Sequence, residues 1–205
     1  MVSACTIKDR ERSLGVVITG GSKGLGYALA AGFLAAGDRV VLCARNRQGL
    51  EDALHSLRLA VPGGAVYGIA CDVGERSAGT LLADFAVSRL GRVDRWINNA
   101  GTAGLLKRPL WELDGEDIRE TCSTNLAGTL VMCAEAVRVM QRQPSTKKPC
   151  YHIFNMGFSP VGAAVLVPKI RAIEGRNRRL RYEPLAQTFF RIFMGLPRIM
   201  GKALS

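Results

Sequence analysis

The residues with the plainest chemical use are Thr19-Gly20-Gly21-Ser22-Lys23-Gly24-Leu25-Gly26. They follow the apolar run Val16-Val17-Ile18 and precede Leu25, Leu29, Gly32, Phe33 and Ala36 at helical spacing. Glycine allows a tight turn and lets a phosphate approach the backbone with no Cβ in the way. The amides and positive end of a helix starting near Leu25 would then hold that phosphate. Glycine-rich runs alone are weak signals, and a purely structural turn competes with this reading. The strand before it and the helix after it favour the pyrophosphate of a dinucleotide.

The end of the second apolar run separates two dinucleotides. An NAD site usually places a carboxylate there, to accept from the ribose 2′-hydroxyl. This chain has Cys43-Ala44-Arg45-Asn46-Arg47, with no acid. Arg45 and Lys23 can both reach a 2′-phosphate, and a guanidinium fork suits a phosphate. Simple solvation accounts for Arg47. The spacing therefore points to NADP(H).

These residues need a frame, and strand and helix patterns alternate to supply one. Strands are expected at Val16–Ile18, Arg39–Ala44, Val66–Ala70, Val93–Ile97 and Tyr151–Met156. Helices are expected after Leu25, around Leu50, Leu54 and Leu57, over Leu81–Leu90, and from about Asp117 to Met140. The last carries Ile118, Cys122, Leu126, Leu130 and Val137 on one side. Short links between such units imply an α/β fold, a Rossmann-type doubly wound parallel sheet over 15–158. Residues 1–14 read as an extension. Beyond Met156 the alternation stops, so the sheet reads as incomplete at its C-terminal side. Residues 159–205 form a basic segment with Val165-Leu166-Val167 and a short apolar helix between Pro184 and Pro197.

Composition bounds the rest. The chain has 205 residues, 48% of them hydrophobic, and a net charge of +11. That suits one ordinary domain and excludes disorder along the whole chain. No apolar run approaches the roughly 20 residues of a membrane-spanning helix. Residues 160–205 hold 9 of the 28 basic side chains but only 2 of the 17 acidic ones. Such asymmetry can mark a tail for an anionic surface, although unpaired solvated cations are commoner. Without aromatic interleaving or a nucleic-acid motif, nucleic acid is not expected as a partner. Phe189, Phe190, Ile192, Phe193 and Met194 beside Arg178, Arg179, Arg181, Arg191 and Arg198 suggest peripheral membrane contact, against a helix packed on the domain. The six cysteines form no C-x-x-C pair, and His55 and His152 are the only histidines, so no metal site is expected. The first 14 residues read as neither a signal peptide nor a transit peptide.

Four motifs in order resemble the short-chain dehydrogenase/reductase family: Thr19 to Gly26, Asp72-Val73, Asn98-Asn99-Ala100-Gly101, and Asn125. The resemblance implies that Asp72 contacts adenine and that Asn98, Ala100 and Gly101 line the cofactor. It also implies that Asn125 bends the long helix and orders a water in a proton relay. Several stretches are closer to the chlorophyll(ide) b reductases of plants and green algae. These are Gly68 to Val73, Trp96 to Thr102, Ser123 to Leu126, His152 to Met156 and Leu166 to Arg171. That subfamily implies a chloroplast setting and a small-molecule substrate, with hydride passing from NADPH to the formyl group of chlorophyll b or chlorophyllide b.

The family's chemistry needs a Tyr-x-x-x-Lys pair after the fifth strand, the tyrosine as acid and the lysine lowering its pKa. The tyrosines are Tyr27, Tyr67, Tyr151 and Tyr182, and none has a lysine four residues on. The chain passes from Asn155-Met156-Gly157-Phe158 almost directly to Val165, and Ser159 there reads as a loop serine. In the resembling enzymes a longer segment stands between, carrying the catalytic residues and a sixth strand. Two expectations stay open. One is a reductase in truncated or spliced form, or a faulty gene model. The other is a non-catalytic NADP(H)-binding remnant, or an oligomeric partner of a related full-length reductase.

Overall fold

A computed structural model of the chain describes residues 13–102, 110–144, 151–156 and 180–181. Five strands form the body of a parallel sheet: β1 (Gly15–Thr19), β2 (Arg39–Ala44), β3 (Val66–Ala70), β4 (Arg95–Asn98) and β5 (Tyr151–Asn155). They lie in the order β3-β2-β1-β4-β5, with Val17 opposite Val41 and Trp96. The order reverses between β1 and β4, so a crevice opens there at the carboxyl ends of the strands.

β1 and β2 are apolar without interruption because they are covered on both faces. Alternation along each strand divides the core in two. Val17, Val41 and Trp96 pack under α3 (Ala78–Leu90) and α5 (Thr129–Arg142), against Leu82, Ala86, Met132 and Ala136. Val16, Ile18 and Leu42 pack on the other face under α1 (Gly24–Ala35) and α2 (Arg47–Ala60), against Ala30, Leu34, Leu50 and Leu57. Two buried carboxylates hold the amino ends of the strands, away from the crevice. Asp38 accepts from Leu14 N at 2.9 Å, and Asp94 accepts from Gly15 N at 3.0 Å and Arg92 Nε at 2.9 Å.

Three elements differ from the pattern in the sequence. In α1 the buried line is Gly26, Ala30 and Leu34, whereas Leu25 is exposed and Leu29 and Phe33 are half-buried. The helix is apolar nearly all round, so periodicity does not select its inner face. In the long helix, Leu126 and Leu130 face outward, and Met132, Ala136, Val139 and Met140 form the buried stripe. That helix is also three pieces, α4 (Gly115–Cys122), a π-helical turn over Ser123–Gly128, and α5. Finally, a two-residue strand, β6 (Leu180–Arg181), pairs parallel with β5. The sequence ended the sheet at β5, because two residues inside a basic run carry no strand period. The apolar run at 165–167, the helix at 184–196, Ser159 and the tail cations other than Arg181 lie outside the described residues. No helix among the described residues is long and apolar enough to cross a membrane.

Candidate dinucleotide-binding site

The crevice is built first from β1. Thr19 ends that strand 1% exposed, and its Oγ1 accepts from Asn99 N at 3.0 Å and Ala100 N at 2.9 Å. Asn99 answers with its own amide, donating to the carbonyls of Thr19 at 3.1 Å and Gly20 at 3.0 Å. The loop after β4 is thereby clamped to the glycine loop after β1, on either side of the point where strand order reverses. Thr19→Val keeps the shape but leaves two amides without an acceptor, at about 1–3 kcal/mol for each buried group. Urea denaturation is expected to show a lower midpoint, and an unchanged midpoint would contradict the clamp.

The glycine loop needs its glycines for two reasons. Gly20 has φ +66, and a Cβ there would stand 2.8 Å from Ala100 Cα. Gly24 has φ +57 with nothing within 4 Å of a Cβ position, so it borders open space. That open space faces the start of α1, which has no side-chain cap and no acidic residue in its first turn. By contrast, Asn46 caps α2 by accepting from Gly49 N at 2.7 Å, and Asp114 caps α4 by accepting from Asp117 N at 2.7 Å. An uncapped, positively polarised helix end behind a glycine-rich turn fits a pyrophosphate. Lys23 is exposed at its N-cap, and Ser22 lies half-buried in the turn.

Asp72, Val73 and Gly74 follow β3 and form the next wall of the crevice. Asp72 Oδ1 accepts from Gly74 N at 2.9 Å, and Ser123 Oγ donates to the Gly74 carbonyl at 3.1 Å. Val73 is buried with its carbonyl against Gly128, where a Cβ would come within 2.7 Å. The π-helical turn therefore seats this loop, which explains why a glycine ends that turn. Arg45 follows β2 and is half exposed. Its Nη1 lies 3.0 Å from Glu120 Oε1 on α4 and 3.8 Å from Asp72 Oδ2.

Asn98, which ends β4, and Asn125, in the long helix, make hydrogen bonds within the fold. Asn98 is 3% exposed, and its amide serves its neighbours. Trp96 Nε1 donates to Asn98 Oδ1 at 2.9 Å, and Asn98 Nδ2 donates to Asn155 Oδ1 at 2.8 Å. Cys133 Sγ also donates to Asn155 Oδ1, at 3.3 Å. Burial pushes the Cys133 thiol up, against the pull of its hydrogen bonds with Asn155 and Asn98. It therefore stays protonated at neutral pH. Asn125 sits in the π-helical turn, which is where the long helix departs from regular geometry. Its Oδ1 accepts from Thr102 N at 2.9 Å and its Nδ2 donates to the Thr102 carbonyl at 2.7 Å. Both polar ends thus hold the loop carrying Ala100 and Gly101.

The site gathers Thr19 to Gly26, Arg45, Asp72, Val73 and 98–101 around one crevice. The sequence missed Asn99 as the clamp, and Cys133, Asn155 and Glu120 as neighbours. Asn99 and Asn155 lay inside stretches that carry the resemblance, whereas Cys133 and Glu120 had no sequence signal. Among the described residues, no tyrosine is gathered there. Tyr27 lies on α1, Tyr67 packs under Arg89, and Tyr151 opens β5 beneath Arg92. Asn155 ends β5, so Tyr151 stands about 13 Å from the crevice end at the usual strand rise. Its buried Oη has no partner among the described residues. Cys43 and Cys71 are buried in the core beside this site, and a hydrogen bond to Cys71, then burial, push the Cys43 thiol well up.

A chloroplastic chlorophyll(ide) b reductase of Oryza sativa subsp. japonica is 42% identical over 141 residues, 69% of this chain and 40% of the relative. A second, from Arabidopsis thaliana, is 40% identical over 141 residues, covering 69% of this chain and 39% of the relative. The chain thus spans about two fifths of the length of these relatives. A crystal structure of an actinorhodin polyketide ketoreductase with NADPH matches with TM-score 0.62 and 30% identity, over 70% of this chain and 52% of that one. The family model for short chain dehydrogenase matches residues 15–147, the segment that carries β1 to β4 and the crevice between β1 and β4. On that match, and on the order of strands, glycine turn and Asn99 clamp behind it, the chain belongs to the short-chain dehydrogenase family.

Proposed function

We propose that this chain binds NADP(H) and is a module of the chlorophyll(ide) b reductase kind, set in the chloroplast like its relatives. The observation that carries the binding half is the uncapped start of α1 behind the glycine-rich turn at Gly20 to Gly26, where Gly24 borders open space. The preference for the 2′-phosphorylated cofactor rests on Arg45 and Lys23, and on the lack of a carboxylate in residues 43–47. The α1 amides would hold the pyrophosphate, leaving Lys23 beside Arg45 for the 2′-phosphate. Asp72 would accept from the adenine amino group, and Arg45 would meet the 2′-phosphate. Ala100 and Gly101, held by Asn99 and Asn125, would leave the flat approach that a nicotinamide ring requires. The cofactor supplies hydride when bound. Delivering it to a formyl group also needs a proton at the carbonyl oxygen. Tyr27, Tyr67 and Tyr151 are not placed to give one.

Binding without turnover is therefore the reading that these residues support best. The second reading is reduction of the pigment formyl group by the chain itself, and the 42% identity to the rice reductase favours it. Purified chain mixed with NADPH and chlorophyllide b separates the two. Saturable NADPH binding with an unchanged formyl absorption band is expected. NADPH-dependent loss of that band would establish the reductase reading, and absence of NADPH binding would overturn both. A basic C-terminal segment at 159–205 meeting a membrane, and pairing with a longer reductase, belong to the same proposal. Co-sedimentation with anionic and with neutral liposomes tests the first, and mixed-chain gel filtration the second.

A further inference from the structure

We infer that Glu120 sets how tightly this site holds a 2′-phosphorylated dinucleotide, by competing with that phosphate for Arg45; this rests on the NADP(H) reading above. Arg45 stands at the end of β2, where the phosphate would sit. Its Nη1 is already taken by Glu120 Oε1 at 3.0 Å, with Asp72 Oδ2 at 3.8 Å on the same nitrogen. The two carboxylates are not equivalent. Asp72 is fixed by Gly74 N through Oδ1, whereas Glu120 reaches across from α4 and stands 57% exposed. Glu120 is thus the partner that can let go.

A dinucleotide with a free 2′-hydroxyl leaves the Arg45–Glu120 pair intact. A 2′-phosphate must either displace Glu120 from the guanidinium or bind beside a second negative charge. Glu120 therefore weakens NADPH selectively and leaves NADH alone, which makes it a specificity residue for a cofactor that it need not touch. An exposed pair of this kind is worth little, and its removal is expected to change affinity by about two- to fivefold. The effect shrinks as salt screens it.

Titrations of wild type, Glu120→Gln, Glu120→Lys and Arg45→Ala with NADPH and NADH test the inference. Glu120→Gln is expected to lower the NADPH Kd about two- to fivefold at low salt. NADH should not change, and Glu120→Lys should lower the NADPH Kd further. In the Arg45→Ala background, Glu120→Gln should gain clearly less than in wild type, because only its repulsion of the phosphate is then removed. All sit on exposed surface, and the thermal midpoint of each shows whether it folds. A wild type that prefers NADPH while Glu120→Gln is silent, or shifts both cofactors alike, overturns this inference alone. A wild type with no NADPH preference, and an inert Arg45→Ala, overturns the NADP(H) reading and this inference with it.

Discussion

Gly26→Ala is expected to raise the NADPH Kd roughly tenfold or more, by moving the amides that face the phosphates. A Cβ at position 26 would fall 2.3 Å from the Gly20 carbonyl oxygen and 2.6 Å from Asn99 Nδ2. The first is backbone and the second belongs to the clamp on Thr19 and Gly20, so neither can step aside cheaply. Relief comes only if α1 withdraws from the turn or the turn opens, and either displaces the helix start from the pyrophosphate position. Overpacking of this kind also costs about 1–3 kcal/mol of stability. Calorimetric titration well below the thermal midpoint separates the two effects. An unchanged NADPH Kd in the folded variant would mean that the phosphates bind elsewhere.

Arg45→Ala should act on one cofactor and spare the other. Charge-assisted hydrogen bonds contribute about 1.5–3 kcal/mol each, so losing the guanidinium should weaken NADPH about ten- to a hundredfold. NADH has no 2′-phosphate, and its Kd should stay put. Arg45 is 53% exposed, and its removal leaves Glu120 and Asp72 open to water, so stability should move little. Parallel titration with both cofactors provides the check. Equal losses for NADPH and NADH would make Arg45 a general positioning group and remove the basis for choosing NADP(H).

Much of this was legible in the sequence, for identifiable reasons. β1 and β2 announce themselves because strands buried on both faces are nearly continuous apolar runs. The turn at Thr19 to Gly26 stands out because close backbone approach excludes side chains, so the glycines at 20 and 26 are geometric necessities. The break in the long helix at Asn125 came only through family resemblance. What remained hidden depends on contacts between distant segments. Glu120 meets Arg45 across 75 positions, and Cys133 meets Asn155 across 22. No local spacing encodes such a meeting. The inner face of α1 stays hidden for the opposite reason, since nearly every face of that helix is apolar. β6 escaped because a two-residue edge pairing is made by main-chain groups that any side chain permits. The missing Tyr-x-x-x-Lys needed no structure to notice, yet the fold adds that Tyr151 lies at the wrong end of β5 to replace it.

Isothermal titration of the purified 205-residue chain with NADPH and then NADH tests the binding claim most directly. Saturable NADPH binding, tighter than NADH and accompanied by a rise in thermal midpoint with ligand concentration, is the predicted result. No saturable heat and no thermal shift at millimolar NADPH would contradict it.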